Sequence, residues 1–529
     1  MSAQPQPPAL KSVTVRNPAS GEIIGQYQEQ TADAVRTAIR QARVRQPAWA
    51  GTSLLERQRC IHRMRNILLA QADDVAQVIA DCVGKTRVEA LATEVMPGVI
   101  GSRWYEKHAA QFLQSRRLRN GSILFFSKRS TLYHLPWGVV GIISPWNYPF
   151  GIPMHEIVPA LLAGNTVVFK TAPETLPVGF KIAELFRLAG LPQDVFQHVN
   201  TDAALCGDLF LEPGGVNKLF FTGSVPVGRL LMEKAARTLT PVSLELGGKD
   251  AMIVCADADL ERAAAGAVWA GMSNAGQSCA GVERIYVHKE VYAPFLQRLA
   301  KKVGALRVGR DTAFNVDVGA LCTERQVSTV QRHIREACEN GATVAAKAGS
   351  AGTDNPHFIP PMVLTHVDHR MALMREETFG PVLGVMPVED EAEAVRLAND
   401  SSYALTGSVW SRDLNKAVRL AEQIRAGAVM INDHLLSHGL TETPWGGLGD
   451  SGIGRGHGQF AFEAVTAPKV IVSDWFQLAR HQPFWMPYDL KTYQGIKGIL
   501  LALHGQGATR RLTGLWHALA LLPKIFTKD

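Results

Sequence analysis

The run Val139-Val140-Gly141-Ile142-Ile143 opens the series of short apolar stretches that decides the fold. Similar stretches follow at 166–170, 196–199 and 218–221, and helix-like segments separate them. Strands that alternate with helices predict a parallel α/β sheet with right-handed crossovers. Ligands of such sheets bind beyond the carboxyl ends of the strands, which is where Lys170 and Gly223-Ser224 fall.

The remaining segments extend this α/β pattern. Helical spacing predicts helices across 31–117, and 122–135 is interpreted as strand. A second alternation over 249–437 predicts a second α/β domain. The glycine-rich stretch 446–455 is interpreted as a return crossing to the first domain, not as a phosphate loop, because no strand precedes it.

Size and composition indicate a globular chain of two or three domains, because 529 residues exceed one ordinary core. The seven cysteines are odd in number and lack close pairs, which argues against a disulfide framework and against a C-x-x-C metal site. We therefore expect no metal and a reducing, cytoplasmic location. The first residues contain no apolar segment typical of a secretory signal.

The net charge of +7 is concentrated at the C-terminus, where seven basic and two acidic residues follow position 479. Basic residues grouped with aromatics on a nucleic-acid-binding module are not found, so nucleic acid is not an expected partner. Leucines and Trp516 recur at helical spacing over 512–522 beside Arg510-Arg511 and Lys524, so 477–529 is predicted to be a basic amphipathic helical tail. The apolar run is too short to span a bilayer. Two interpretations of the tail stay open. It packs on protein, either on its own subunit, where it could cover the site entrance, or on a neighbouring subunit; or it contacts a membrane surface.

Three motifs supply the residue types that acyl chemistry on a thiol needs. Gly276-Gln277-Ser278-Cys279-Ala280-Gly281 offers a nucleophile in a glycine-bordered loop. Glu245-Leu246-Gly247-Gly248-Lys249 offers a carboxylate base, 34 residues before the cysteine. Pro145-Trp146-Asn147-Tyr148-Pro149 offers an amide that can donate to an oxyanion.

In this order the three motifs resemble the NAD(P)-dependent, non-acylating aldehyde dehydrogenase superfamily. The resemblance implies two parallel α/β open-sheet domains, a β-hairpin oligomerisation element and, in this chain, an added helical tail. The implied division is a dinucleotide-binding domain (11–117 and 138–248, with 445–465 returning to it), a catalytic domain (249–444), an oligomerisation element (118–137 and 466–476) and the tail (477–529). A homo-oligomer, dimer or tetramer, is expected.

The resemblance also implies the chemistry. Cys279 attacks an aldehyde to give a thiohemiacetal, hydride leaves for the nicotinamide, and water hydrolyses the resulting thioester to the acid. Glu245 is the expected base for that water, and Asn147 with the backbone N–H of Cys279 the expected oxyanion donors.

For the cofactor, the resemblance assigns Lys170 to the adenosine ribose, Ser224 to the pyrophosphate and Glu377 to the nicotinamide ribose, with Phe379 packed nearby. The further implied cofactor contacts are Ile143, Ser144, Pro145, Trp146, Pro173, Glu174, Gly207, Phe221, Gly223, Val227, Leu246 and Gly247. NAD-preferring members often carry a carboxylate three residues after the lysine, whereas here Pro173 stands there and Glu174 follows. NAD is expected and NADP is the alternative.

By the same analogy Tyr148, His155 and His438 face the substrate tunnel. The segment 433–440 supplies leucines and histidines but no arginine or lysine to clamp a carboxylate. An apolar aliphatic or aromatic aldehyde is therefore the expected substrate, with a semialdehyde as the alternative. An acylating enzyme that passes the thioester to coenzyme A is disfavoured by Glu245, and a silent scaffold by the retention of both Cys279 and Glu245.

Overall fold

The protein was analysed as a computed structural model that describes residues 11–352, 354–476, 479 and 481–526. The chain forms two compact units. One comprises the chain up to Leu113 together with Leu135–Ala467, and the other comprises Gln114–His134 together with the chain from Pro468 onward.

Eighteen strands are found in the described residues. They are β1 Ser12–Arg16, β2 Ile23–Gln28, β3 Arg116–Leu118, β4 Lys128–Pro136, β5 Val139–Ile143, β6 Thr166–Lys170, β7 Phe196–His198, β8 Lys218–Thr222, β9 Val242–Glu245, β10 Asp250–Val254, β11 Val282–His288, β12 Thr343–Lys347, β13 Met362–Thr365, β14 Val382–Val388, β15 Thr406–Trp410, β16 Ala428–Ile431, β17 Gly452–Ile453 and β18 Thr466–Asp474.

Nineteen α-helices accompany them in the same part of the chain. They are α1 Ala32–Ala50, α2 Leu54–Ala70, α3 Ala72–Val83, α4 Arg87–Ala90, α5 Met96–Leu113, α6 Gly151–Leu162, α7 Leu176–Leu188, α8 Ala203–Leu211, α9 Val225–Ala236, α10 Leu260–Met272, α11 Lys289–Gly304, α12 Glu324–Glu339, α13 Ala372–Arg375, α14 Glu391–Asn399, α15 Leu414–Ala421, α16 Gly458–Ala464, α17 Leu490–His504, α18 Ala508–Leu519 and α19 Leu522–Phe526.

The first unit contains two large open sheets and the two-stranded antiparallel sheet of β1 and β2. The first large sheet has the order β17-β9-β8-β5-β6-β7, and its strands are parallel except for β17. The second has the order β12-β13-β14-β11-β10-β15-β16, with only β12 antiparallel. Strands β5, β6, β8 and β10 are buried at every residue, which explains the apolar runs within them. The predicted α/β class with two parallel sheets is confirmed.

The glycine-rich stretch 446–455 returns to the first sheet. Its two-residue strand β17 pairs antiparallel with β9, so that Gly452 lies opposite Glu245. Gly446 and Gly452 have φ angles of 143° and 125°, which side chains rarely adopt. A Cβ on Gly452 would overlap the carbonyl oxygen of Leu244, so glycine is what allows this strand to pair.

The second unit contains β3 and β4 as an antiparallel pair within a sheet of order β18-β4-β3. The strand predicted over 122–135 is wrong at its start, because Ile123–Phe125 forms a 3₁₀ turn. The Ser122 side chain accepts the backbone N–H of Leu124 at 3.2 Å and starts that turn. Strand β4 begins only at Lys128.

The tail of the second unit is helical, as predicted. Helices α17 and α18 form a close hairpin, because a Cβ on Gly498 would lie 2.6 Å from the carbonyl oxygen of Gly514. In the part of the chain that the structure describes, no helix combines the length and apolar character that crossing a membrane requires.

Candidate active site

The carboxyl ends of β5, β6, β8 and β9 meet at one edge of the first sheet, since these strands are adjacent and parallel. This edge brings together the sequence-predicted cofactor residues that end or follow those strands. They are Ile143 and Ser144 after β5, Lys170, Pro173 and Glu174 after β6, Phe221, Gly223 and Ser224 at β8, and Leu246 and Gly247 after β9. Gly207 lies in α8 and Val227 in the first turn of α9.

The residues at this edge fit a dinucleotide. Ser224 is the N-cap of the twelve-residue helix α9 and its side chain makes no capping bond, so the helix N-terminus can receive a phosphate. A Cβ on Gly223 would lie 2.6 Å from the ring of Phe221, which leaves room only for glycine. The buried Ser144 hydroxyl has no hydrogen-bond partner among the described residues. Lys170 is buried, and its Nζ donates to the carbonyl of Thr171 at 3.0 Å.

Glu377 and Phe379 are held by a buried ion pair that the sequence analysis did not identify. Lys249 donates to Glu283, and Glu283 in turn accepts the backbone N–H groups of Thr378 and Phe379 at 2.8 and 2.9 Å. Glu377 accepts the N–H of Gly248 at 3.0 Å. Phe379 contacts the ring of Trp146 edge-on, with centroids 5.6 Å apart. The loop is therefore fixed beside the glycines that follow Glu245.

The loop before Cys279 has an unusual backbone. Asn274, Ala275 and Gly276 follow one another with φ angles of 53°, 54° and 73°. A Cβ on Gly276 would overlap the backbone of Gly380, and a Cβ on Gly248 would overlap the carbonyl oxygen of Cys279. Gly276 and Gly248 thus permit close backbone approach around Cys279. Such strain persists only where the surroundings enforce it.

Asn147 is brought to this loop. Its side-chain nitrogen donates to the carbonyl of Gln277 at 3.1 Å, and its own carbonyl accepts from Asn274 at 3.0 Å and from Lys85 at 2.8 Å. An amide nitrogen has two hydrogens, so one remains for an oxyanion at Cys279. Trp146 and Pro145 precede it on the same loop.

A second buried ion pair supports Asn147. Lys85 and Glu94 are joined at 2.7 Å, and both side chains are fully buried. Glu94 also accepts the backbone N–H groups of Phe150 and Gly151 at 2.8 and 3.2 Å. The sequence analysis missed this pair because neither residue lies in a motif or near the site in sequence.

The thiol of Cys279 is only partly exposed. Burial raises its pKa, and the nearby carboxyl groups of Glu377, Asp250 and Glu245 raise it further. Cys279 therefore rests as a thiol, and a nucleophilic role would require removal of its proton. The other cysteines are also free, and five of them are buried: Cys60, Cys82, Cys206, Cys255 and Cys322.

Glu245 ends β9 and faces the same cavity as Cys279. Burial and the neighbouring Glu156 raise the pKa of its carboxyl well above the ordinary value, while Arg455 opposes that rise. Its Oε2 is buried and has no hydrogen-bond partner among the described residues. A carboxyl with a raised pKa and a free oxygen is suited to accept a proton.

Two of the three predicted tunnel residues, His155 and His438, line this cavity with Trp445. Burial lowers the pKa of His155 to about 3 and that of His438 to about 4, so both rings are neutral. Tyr148 is placed differently: its ring lies 4.0 Å from Lys85 Nζ, and its hydroxyl lies beside Ser278.

Although no metal is expected from the sequence, three histidines could hold one. His155, His438 and His457 offer ring nitrogens that lie within 4.8 Å of one another. A metal bound at about 2.0–2.1 Å from each nitrogen would require these rings to move closer. The three histidines lie far apart in the sequence and at no spacing that indicates a metal site.

The sequence profile of the aldehyde dehydrogenase family matches residues 6–471. A 4,4'-diapolycopene aldehyde oxidase of Methylomonas sp is 37% identical over 497 residues, 94% of this chain and 92% of that protein. A protein of Mycolicibacterium smegmatis named as a succinate-semialdehyde dehydrogenase [NADP(+)] is 38% identical over 444 residues, 84% of this chain and 85% of its own.

Solved structures agree. The crystal structure of an NAD-dependent aldehyde dehydrogenase from Sinorhizobium meliloti superposes with a TM-score of 0.85 at 32% identity, covering 90% of this chain and 93% of that one. These matches confirm the predicted fold class and the oxidation of aldehydes with NAD(P). The chain belongs to the aldehyde dehydrogenase family.

Proposed function

We propose that this enzyme oxidises apolar aldehydes to carboxylic acids, with Cys279 as nucleophile, Glu245 as base and Asn147 as oxyanion donor. The observation that carries the proposal is the shared cavity of Cys279 and Glu245. Asn147 is fixed two residues from the nucleophile by its bond to Gln277.

The residues divide the reaction between them. Glu245 takes the thiol proton, so that Cys279 attacks the carbonyl carbon as a thiolate. Asn147 and the Cys279 N–H stabilise the oxyanion that forms. When bound, the nicotinamide accepts the hydride of the former aldehyde carbon. Glu245 releases the thiol proton to solvent, and its carboxylate then takes a proton from the water that attacks the thioester carbon. The C–S bond breaks, which releases the acid and returns the Cys279 thiolate, and Glu245 reprotonates this thiolate.

The proposed cofactor site is built from Lys170, Ser224, Glu377 and Phe379. Lys170 and the N-terminus of α9 supply positive charge and N–H donors, and the Glu377 carboxyl is positioned for a ribose. NAD is the proposed preferred cofactor, because Glu174 follows the lysine by four positions and its carboxylate would repel a 2′-phosphate.

An apolar substrate is supported by the lining of the cavity. His155 and His438 are neutral, and Trp445 is apolar over most of its surface. Arg455 also lines the cavity, but its Nη1 already donates to the carbonyls of Gly447 and Gly454 at 2.8 and 2.6 Å. The Methylomonas relative, named for the aldehyde of a hydrocarbon, supports the same class.

A semialdehyde is the second candidate, because Arg455 is a cation in the cavity and the mycobacterial relative carries that name. The ratio of kcat/KM for hexanal to that for succinic semialdehyde separates the two. A higher value for succinic semialdehyde would replace the apolar proposal.

The decisive experiment follows NADH formation with hexanal in the intact enzyme, in Cys279→Ala and in Cys338→Ala. Cys338 is exposed on α12 and serves as the matched thiol control. Activity is expected in the intact enzyme and the control and is expected to be lost in Cys279→Ala. Equal activity in all three would contradict the role of Cys279.

Homo-oligomer formation is supported by β18, which lies at the edge of its sheet. Val470, Ile471 and Val472 on this strand are 48%, 46% and 59% exposed. An exposed apolar edge strand is suited to pairing with a second copy. Mass measured by light scattering is expected to fall to that of the monomer in Val470→Lys/Val472→Lys.

Peripheral binding to an anionic membrane is proposed for the tail. Helices α17 to α19 expose a series of large apolar side chains: Leu490, Tyr493, Leu500, Leu512, Leu515, Trp516, Leu519, Leu522 and Phe526. Residues 489–526 carry five basic residues and one acidic residue. Apolar and basic groups together suit a lipid surface with negative charge.

The extent of the alignment adds independent support. The Methylomonas protein aligns with 497 of the 529 residues, so the match runs past the family profile, which ends at residue 471, and into α17. The mycobacterial match covers only 444 residues. The alignment with this relative, named as a 4,4'-diapolycopene aldehyde oxidase, therefore includes at least the first part of the tail.

Co-sedimentation with vesicles tests this binding. The intact protein is expected to sediment with phosphatidylserine-containing vesicles and not with phosphatidylcholine vesicles. Leu512→Glu/Trp516→Glu is expected to abolish binding, while Val44→Glu, at a 78% exposed position of α1, is expected to retain it. Binding of the Leu512→Glu/Trp516→Glu variant to the vesicles would contradict the proposal. The proposal would also be contradicted if the intact protein bound no lipid and the variant differed from it only in oligomeric state. The free cysteines suit a cytoplasmic membrane face.

A further inference from the structure

A carboxyl group from a distant part of the chain is bound to the loop that precedes Cys279. Oε1 of Glu89 accepts the backbone N–H of Asn274 at 2.6 Å and the hydroxyl of Ser273 at 3.4 Å. Glu89 lies on α4, 185 residues before Asn274, and it is buried. The bond therefore joins the segment predicted as the dinucleotide-binding domain to the segment predicted as the catalytic domain.

The second oxygen of this carboxyl group serves the helix and not the loop. Oε2 of Glu89 accepts the backbone N–H and the hydroxyl of Thr86, both at 3.1 Å, and Thr86 Oγ1 accepts the N–H of Glu89 at 3.2 Å. These reciprocal bonds form a capping box, which begins the helix. Because one oxygen is enough for the capping box, the other is left for the loop.

The backbone of the loop needs such an anchor. Asn274 and Ala275 have φ angles of 53° and 54°, although neither is glycine, and both are buried. This left-handed conformation is unfavourable for residues with a side chain, and it persists only where the surrounding contacts enforce it. The bond from Glu89 acts on the first residue of the strained stretch.

Asn274 transmits this constraint to Asn147 and to the residues just before Cys279. Its side-chain nitrogen donates to the carbonyl of Asn147 at 3.0 Å and to that of Gln277 at 3.1 Å. The carbonyl of Asn274 accepts the backbone N–H of Gln277 at 3.1 Å and its side-chain amide at 2.9 Å. A residue that is fixed by Glu89 therefore fixes both Asn147 and the loop of Cys279.

The segment that carries Glu89 also supports Asn147 directly. Lys85, four residues earlier, donates to the carbonyl of Asn147 at 2.8 Å. A π-helical turn follows at Leu91–Val95, a feature that is frequent at functional sites. One segment thus holds Asn147 through Lys85 and the cysteine loop through Glu89.

We propose that Glu89 is a positioning residue of the reaction: it holds Asn274 in the left-handed conformation that keeps Cys279 and the Asn147 amide in place for attack on the aldehyde. The proposal rests on the roles of Cys279 and Asn147 proposed above. Glu89 acts through Asn274 and exchanges no proton with the reacting groups.

The test compares Glu89→Ala with Thr86→Val. Both variants break the capping box and are expected to be less stable, but Thr86→Val leaves Oε1 of Glu89 bound to Asn274. The single-turnover rate of NADH formation with hexanal is expected to fall about a hundredfold in Glu89→Ala, because a misplacement of about 1 Å can cost that factor. Thr86→Val is expected to keep the rate of the intact enzyme. Glu89→Gln, which retains an oxygen that can accept from Asn274, is expected to recover most of the rate.

Hydrogen exchange supplies a second readout that needs no activity. Exchange over 273–279, followed by mass spectrometry, is expected to be faster in Glu89→Ala than in the intact protein and unchanged in Thr86→Val. No NADH formation in the intact enzyme contradicts the proposed function, whatever the exchange rates are. Equal exchange in Glu89→Ala and the intact protein overturns the anchoring by Glu89 alone.

Two further outcomes overturn the positioning role. One is an unchanged single-turnover rate in Glu89→Ala. The other is an equal fall of that rate in Glu89→Ala and Thr86→Val, since the loss would then come from the helix. If Glu89→Ala does not fold, exchange in the intact protein decides: exchange over 273–279 is expected to be slower than in the exposed stretch 312–315, and equally fast exchange overturns the proposal.

Discussion

The side-chain amide of Asn147 donates a 3.1 Å hydrogen bond to the carbonyl oxygen of Gln277, two residues before Cys279. This bond fixes the Asn147 amide at the loop that carries Cys279. Asn147→Ala is expected to lower the single-turnover rate of NADH formation by about 10²–10³, the usual cost of one oxyanion donor. Asn340→Ala, at an exposed position after α12, is the control and should not change the rate. An unchanged rate in Asn147→Ala would show that Asn147 does not act as an oxyanion donor.

The Lys85–Glu94 pair behind Asn147 predicts a stability effect. Lys85→Met leaves the Glu94 carboxylate buried without its partner, and breaking a buried pair in this way costs about 3–5 kcal/mol. The free energy of unfolding, measured in urea, is expected to recover in part in Lys85→Met/Glu94→Gln, where no charge remains. A double variant less stable than the single one would contradict this account.

Gly248 predicts a local effect on the nucleophile. A methyl group at Gly248 would overlap the carbonyl oxygen of Cys279 and push the loop aside. A displacement of about 1 Å can cost about 10² in rate, so kcat/KM of Gly248→Ala is expected to fall by about that factor. Gly304→Ala, where no atom lies within 4 Å of the added carbon, is the control. Equal kcat/KM in the two variants would show that the loop adapts.

His155 predicts acid sensitivity of the fold. Its pKa is lowered to about 3 by burial, whereas an unfolded histidine titrates near 6.5. Below about pH 6.5 the unfolded state therefore binds more protons, and stability falls as the pH falls toward the folded pKa. The stabilisation from the neutral, buried His155 is fully present above about pH 6.5. Tm should drop between pH 7 and pH 5, and the drop should be smaller in His155→Phe but unchanged in His504→Gln, at an exposed position.

Glu174 predicts cofactor selection. Its carboxylate, four residues after Lys170, would repel the extra phosphate of NADP. Glu174→Gln is expected to raise kcat/KM for NADP relative to NAD, while Glu184→Gln, in α7, should leave the ratio unchanged. A ratio that does not move in Glu174→Gln would place the selecting group elsewhere.

Features that depend on residues close together in the chain, such as buried strands and short motifs, could be predicted from the sequence. Strands such as β5 and β6 are buried at every residue, so each contains a short apolar run that is easily recognised. Cys279, Glu245 and Asn147 each stand in a short motif whose order indicates the family. The error at Ile123–Phe125 arose because a side-chain bond from Ser122 competes with the strand ladder, which apolar content alone does not reveal.

The supporting groups of the site could not be predicted, since their partners are distant in sequence. Lys85 donates a hydrogen bond to the carbonyl of Asn147, which is 62 residues away in the sequence. Neither the residues around Lys85 nor its distance from Asn147 in the sequence indicates this contact. Glu156 follows the predicted tunnel residue His155 on α6, but only the packing of that helix against the sheet reveals that Glu156 shares a cavity with Glu245. Such positions become visible only in three dimensions.

If the exposed rings and leucines of the tail bind a lipid surface as proposed, they change how substrate reaches this enzyme. An enzyme held at a lipid surface meets a lipid-dissolved aldehyde in two dimensions. Its rate then depends on the mole fraction of that aldehyde in the bilayer. Added inert lipid lowers this mole fraction, and with it the rate, even when the total amount of aldehyde stays constant. For a water-soluble aldehyde such as hexanal, the same enzyme would follow bulk concentration alone.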